Sequence, residues 1–179
     1  MRRAALAAAL LVLTSAGASW AASQGQRPRT SRETVGVEAG YRPPSFAALD
    51  LTGQPHTLKD YEGRVLVLHF WASWCPYCRG EIAELTELHN TWQEKGVRVL
   101  AVSTDEDIEA LRQFVKAQRL PYPVIADANI RRSIAGQYGL EGIPVTFILT
   151  QDGHIALRLD GASDIIAAVQ GVLATFTPA

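Results

Sequence analysis

The run Val65-Leu66-Val67-Leu68-His69-Phe70-Trp71-Ala72-Ser73-Trp74-Cys75-Pro76-Tyr77-Cys78 joins a continuous apolar stretch to the only two cysteines of a 179-residue chain. A short apolar run without polar alternation reads as a strand buried on both faces, which needs cover from two layers. After it, Pro76 to Lys95 sets Ile82, Leu85, Leu88, His89 and Trp92 at helical spacing along one side. Proline is tolerated at the first helical position, where its missing N–H is not needed, so Cys75 falls at the N-cap and Cys78 three residues on. An N-cap side chain accepts from the free amides of the first turn, and the helix dipole adds a positive field, so a thiolate at Cys75 is favoured. Side chains three apart on a helix bring their Cβ atoms to roughly 5–6 Å, within local adjustment of a disulfide. One attacking thiol and one resolving thiol make a redox switch.

Two blander readings of the pair are weaker. A structural disulfide here would close a loop of a few residues, and chain-entropy stabilisation grows with loop length. A zinc site needs four ligands, whereas His56, His69, His89 and His154 show no ligand spacing and no second cysteine pair exists. The pattern therefore calls for no metal and no cofactor.

The chain opens Met1-Arg2-Arg3, runs apolar from Ala4 to Leu13, then turns small and polar from Thr14 to Ser19. This is the pattern of a secretory signal, with Ser19-Trp20-Ala21 offering small residues at the cleavage site. The expected division is a signal peptide or uncleaved anchor over 1–21, a flexible Gln/Ser/Thr-rich linker over 22–40 and one domain over 41–179. Export to a bacterial periplasm suits a cysteine pair poised between oxidants and reductants. Without Arg2 and Arg3, basic residues fall from 17 to 15 against 18 acidic, and nothing points to nucleic-acid binding.

Further along, Ser45–Leu51 and His56–Leu58 about Thr52-Gly53 predict a hairpin. Val97–Val102 predicts a strand, Ile108–Val115 a helix ended by Leu120-Pro121, Val124–Ala126 a short strand and Asn129–Tyr138 a short helix. Val145–Leu149 and His154–Leu159 predict a hairpin about Asp152-Gly153, and Ile165–Phe176 a closing helix. Strands alternating with helices and ending in a hairpin imply an α/β fold with a mixed sheet covered by helices on both faces.

Phe70-Trp71-Ala72-Ser73-Trp74-Cys75-x-x-Cys78 resembles the thioredoxin superfamily. The resemblance narrows to the TlpA/ResA/DsbE-like thiol–disulfide oxidoreductases through Phe46…Leu49-Asp50…Gly53, Leu58…Tyr61-Glu62-Gly63-Arg64, Cys78-Arg79-Gly80-Glu81 and Gly142-Ile143-Pro144-Val145-Thr146-Phe147-Ile148. It implies a thioredoxin fold with an N-terminal hairpin and one extra helix–strand unit. It also implies a cis Ile143-Pro144 peptide facing the cysteines, with Ile143 offering strand-like hydrogen bonds to an extended substrate. Trp74, Pro76 and Tyr77 would join that docking surface, and Trp71 either packs beside the pair or serves as ordinary core. Glu81, one turn below Cys78, would assist proton movement, because Cys78 must lose its proton before it resolves a mixed disulfide. A solvated helical glutamate, like Glu84 and Glu87, is the competing reading.

The resemblance further implies protein thiol and disulfide substrates, a membrane electron donor of the thiol-transfer type, cytochrome c maturation and a monomer. Three departures stand out. His69 occupies the place of a buried acid in thioredoxins, where it either titrates near neutrality or serves as a core histidine. Ala83 replaces a family proline, so the usual kink of the active-site helix is expected to be absent. Pro76-Tyr77 is a glutaredoxin-type dipeptide, which bears on the redox potential and the partner. The expected activity is reduction of protein disulfides by Cys75 attack and Cys78 resolution, with a periplasmic oxidase or isomerase as the alternative. A thiol peroxidase is disfavoured because Ala72, not Thr or Ser, stands three before Cys75. A copper chaperone using Cys75, Cys78 and His154 is the rival from another class.

Overall fold

The computed structural model describes residues 34–126 and 134–176. The signal or anchor over 1–21 and the first residues of the expected short helix at Asn129 lie outside them. Residues 34–42 already belong to the packed domain: Gly40 N donates to the Ile155 carbonyl and Ile155 N to that of Tyr41, both at 2.8 Å. The end of the expected linker is thus docked chain, held by backbone hydrogen bonds that composition does not reveal.

A small antiparallel hairpin pairs β1 (Ala47–Leu49) with β2 (Pro55–Thr57). Asp50 closes its turn, accepting from Thr52 N at 2.8 Å and Gln54 N at 2.9 Å. After a 3-10 turn at Leu58–Tyr61 comes β3 (Val65–Trp71), buried at every residue. Burial follows from pairing on both edges: β3 runs parallel to β4 (Val97–Ser103) and antiparallel to β6 (Val145–Leu149). β5 (Val124–Ile125) and β7 (Ile155–Asp160) close a five-stranded mixed sheet of order β5-β4-β3-β6-β7. Helix α3 (Ile108–Gln118) with β5 supplies the extra helix–strand unit, and β5 takes the sheet edge beside β4.

The pleat of β3 sorts the core. Val65, Val67 and Trp71 meet Leu85 and Leu88 of the active-site helix, Leu111 of α3, and Ile165, Val169 and Val172 of α4 (Ile165–Phe176). Leu66, Leu68 and Phe70 face the other way, onto Phe147, Ile134 and Tyr138, with the helical turn at 134–137 and the N-terminal hairpin as cover. Odd positions of β3 therefore look toward the cysteines, and His69 is one of them.

One expectation fails. The active-site helix is interrupted despite Ala83: α1 spans Pro76–Gly80 and α2 spans Ile82–Thr91. At the joint, Glu81 N donates to the Cys78 carbonyl at 3.2 Å, a three-residue step in place of four, and Leu85 N returns to the regular pattern by donating to the Glu81 carbonyl. Glycine at position 80 weakens helix continuity there, and the Glu81 side chain is tied to another segment. The helix also stops at Thr91, four residues before the expected Lys95, where the chain turns through Gly96 at φ 78° into β4.

Candidate active site

The C-terminal ends of β3 and β4 deliver the loop Ala72–Cys75. Its anchor is Asp105, a buried carboxylate that sequence reading passed over. Asp105 accepts from Ser73 N at 2.9 Å, Ser73 Oγ at 2.6 Å and Ser103 Oγ at 2.7 Å. Arg79 Nε donates to the Ser73 carbonyl at 2.6 Å while its guanidinium lies 4.9 Å from the centre of the Phe114 ring. The signal was present: Ser103-Thr104-Asp105 follows the strand beside β3, and polar residues at the carboxyl ends of parallel strands are where sites are built.

Cys75 is the N-cap of α1, with Pro76 the first helical residue, as its spacing predicts. Cys78 N donates to Cys75 Sγ at 3.3 Å, directing a backbone dipole at that sulfur. The Cys75 thiol also faces the Ile143 carbonyl at 3.9 Å, and the Ile143-Pro144 peptide is cis. On the outer side, Trp74 is 63% and Tyr77 71% exposed, and Pro76 is exposed between them. These side chains form an aromatic rim beside Cys75, a residue that is itself 4% exposed.

Cys78 is fully buried. Burial pushes its thiol well up from the ordinary range, and the hydrogen bond to Cys75 and the charges of Cys75 and Glu81 add to that direction. Glu81 is buried, not the solvated glutamate of the competing reading. Its Oε1 accepts from Ser163 N at 3.0 Å, and its Oε2 has no hydrogen-bond partner among the described residues. Burial raises its carboxyl to about 7, the Ser163 amide holds it back and Glu84 pushes in the raising direction. Glu84 is not a solvated residue either: its Oε2 accepts from Ile165 N at 2.8 Å and Ile166 N at 3.2 Å, capping the start of α4.

His69 is a core histidine. Its Nδ1 lies 2.9 Å from Thr146 Oγ1, and burial lowers its pKa to about 3, so it is neutral at pH 7 instead of titrating there. Trp71 is buried against Phe114, with ring centres 5.8 Å apart, and belongs to the core beneath the rim. His154 sits in the β6–β7 turn, at the end of β6 away from Pro144, 3.0 Å from Asp152 Oδ2. It does not join the two cysteines, which removes the ligand set on which the copper reading depended. No group of three or more His, Cys, Asp or Glu among the described residues is placed to hold a metal ion.

A paired-cysteine site at a strand–helix junction, an opposed cis-proline loop and a mixed five-stranded sheet define a family geometry, and comparison agrees. The family model described as AhpC/TSA family matches residues 39–158. The thiol–disulfide oxidoreductase ResA of Bacillus cereus is 32% identical over 152 residues, covering 85% of this chain and 84% of that protein. The chain belongs to the AhpC/TSA family, among its ResA-like thiol–disulfide oxidoreductases. ResA of Bacillus anthracis is 31% identical over 169 residues, 94% of each chain. Among solved structures, a protein described as a putative thiol:disulfide interchange protein DsbE from Chlorobium tepidum superposes with a TM-score of 0.71 at 28% identity, covering 78% of this chain and 99% of that one. The ResA-like assignment makes this an enzyme of thiol–disulfide exchange whose substrates are protein thiols and disulfides. Among the described residues, no helix is long and apolar enough to cross a membrane.

Proposed function

We propose that this enzyme is exported to the periplasm and reduces protein disulfides, with Cys75 as nucleophile, Cys78 as resolving thiol and Glu81 as proton acceptor. The observation that carries the reading is the asymmetry of the two sulfurs. Cys75 receives a backbone N–H at the helix start beside an exposed aromatic rim, whereas Cys78 is sealed beneath it with its thiolate disfavoured. Cys75 thiolate attacks a substrate disulfide, forming a mixed disulfide and releasing one substrate thiolate. Cys78 then gives its proton to the Glu81 carboxylate and attacks the Cys75 sulfur. The second substrate thiolate leaves, two electrons have passed to the substrate, and a Cys75–Cys78 disulfide remains. A thiol-transfer donor at the membrane would restore the dithiol, and apocytochrome thiols in cytochrome c maturation are the substrate class the family resemblance suggests.

The same electrostatics support the reducing direction. An oxidant of this fold stabilises its reduced, ionised form; here burial and the Glu81 charge oppose ionisation of Cys78. The expected potential lies near the thioredoxin end, below about −200 mV, and equilibration against a dithiothreitol or glutathione buffer measures it. A value above about −180 mV reverses the assignment to oxidase or isomerase. Chains carrying Cys78→Ser, expressed in the periplasm, are expected to hold substrates as mixed disulfides that identify the clients.

A further inference from the structure

We propose that His69 is a positioning residue for the proton transfer, presenting Nε2–H to the Glu81 carboxylate so that the charged form of Glu81 persists in the buried site. This deepens the reading of Glu81 as proton acceptor and rests on it. His69 Nε2 and Glu81 Oε2 stand 3.9 Å apart, and each is a buried polar atom without a hydrogen-bond partner among the described residues. The two unmatched atoms thus stand close to each other, and unmatched buried polar atoms are few in folded proteins.

The tautomer follows from what surrounds the ring. A bare Nε2 lone pair turned toward a carboxylate oxygen would set two negative ends against each other, and little water is present to screen them. With the proton on Nε2, Nδ1 becomes the acceptor and the Thr146 hydroxyl, 2.9 Å away, donates to it. Each ring nitrogen then faces a group of complementary polarity. At 3.9 Å the pair is longer than a hydrogen bond; closing by ~1 Å as Glu81 ionises would complete one.

The groups bearing on Glu81 come from every side. Ser163 N–H approaches from the loop before α4, Glu84 from α2, the Cys78 thiol from α1 and His69 from β3, with Thr146 of β6 behind the imidazole. Ser163 fixes Oε1, so Oε2 is the oxygen left to be steadied by His69. His69 does not act as a second proton acceptor. Burial makes its imidazole far less basic than the Glu81 carboxylate, so the proton taken from Cys78 stays on Glu81.

The test has two arms. In the wild-type enzyme, nitrogen NMR of the imidazole at pH 8 is expected to show Nε2 protonated and Nδ1 bare; the opposite tautomer overturns the proposal without any variant. In the second arm, a Cys75 mixed disulfide with 5-thio-2-nitrobenzoate is formed, and its resolution by Cys78 is followed through the released chromophore across pH. His69→Asn keeps an amide beside Thr146 but none at the Nε2 position, and should move the inflection upward by about one pH unit, the equivalent of a modest charge-assisted hydrogen bond. His69→Gln carries an amide nitrogen to the Nε2 position and should stay near the wild-type inflection. Glu81→Gln should remove the inflection. If it survives Glu81→Gln, the proton-acceptor reading itself fails. If Glu81→Gln removes it while His69→Asn leaves it unmoved, only the role of His69 is overturned.

Discussion

At the rim of the site Trp74 and Tyr77 hold aromatic rings in water around Pro76, while one helical turn below, Cys78, Glu81 and His69 are withdrawn from solvent. The rim side chains leave most of their surface in water, and the Ile143 carbonyl lies 3.9 Å from Cys75 Sγ. On the floor Glu81 Oε1 is held by Ser163, His69 Nδ1 by Thr146 and the loop itself by Asp105, while Glu81 Oε2 and His69 Nε2 have no hydrogen-bond partner among the described residues. Exchange chemistry asks for both. A thiolate must reach a bulky substrate, yet the second thiol must be deprotonated in a place where bulk water does not set the acidity.

The sharpest way to break this contrast is to exchange the two sulfurs' roles. Cys75→Ser is expected to abolish exchange, whereas Cys78→Ser is expected to retain one attack and accumulate mixed disulfide. Alkylation of the reduced wild type at limiting reagent, read by peptide mass, should label Cys75 first; preferential labelling of Cys78 would reverse rim and floor.

Asp105 tests whether the floor holds the loop in place. Asp105→Ala strands the Ser73 amide and two serine hydroxyls in a buried site and should lower unfolding stability by about 3 kcal/mol. Asp105→Asn keeps one acceptor and should recover part of that loss in a denaturant titration.

Glu81 carries a signed pH dependence. Its carboxyl is raised from 4.5 to about 7, so the contribution of its protonated form is complete below pH 4.5 and is lost as pH rises through 7. His69 acts in the other sense. Lowered from 6.5 to about 3, it favours the fold above pH 6.5 and that contribution is lost as pH falls toward 3. Glu81→Gln keeps an acceptor for Ser163 N–H and removes the buried charge. It should therefore stabilise the fold at pH 8 by up to about 3 kcal/mol and change little at pH 4. Unfolding measured at the two pH values checks this; equal effects at both would mean that Glu81 is not raised.

The smallest effect belongs to the rim. Trp74→Ala and Tyr77→Ala should change stability by no more than about 0.5 kcal/mol. They should slow reduction of a protein disulfide several-fold more than reduction of a small aromatic disulfide. Equal slowing of both would show that the rings support the loop and not the substrate.

Much of this was legible along the chain. The burial of β3 was written in unbroken apolar residues, and the N-cap position of Cys75 in the proline that follows it, because both are decided within a few residues. The cysteine pair needed only its own spacing. The break at Glu81 was not legible, since Ala83 argued for continuity and the competing pull came from Ser163, 82 residues away. His69 faces Thr146 across 77 residues, and Asp105 holds Ser73 across 32.

The sequence by itself determined the cysteine pair, the sheet that carries it and the strand–helix junction where it stands, because periodicity and capping are local properties of covalent neighbours. Tertiary structure alone decided which acids and which histidine are buried and what they face. Acidity in this site depends on desolvation and on partners delivered by strand register and helix packing, and neither is present in any short stretch of chain.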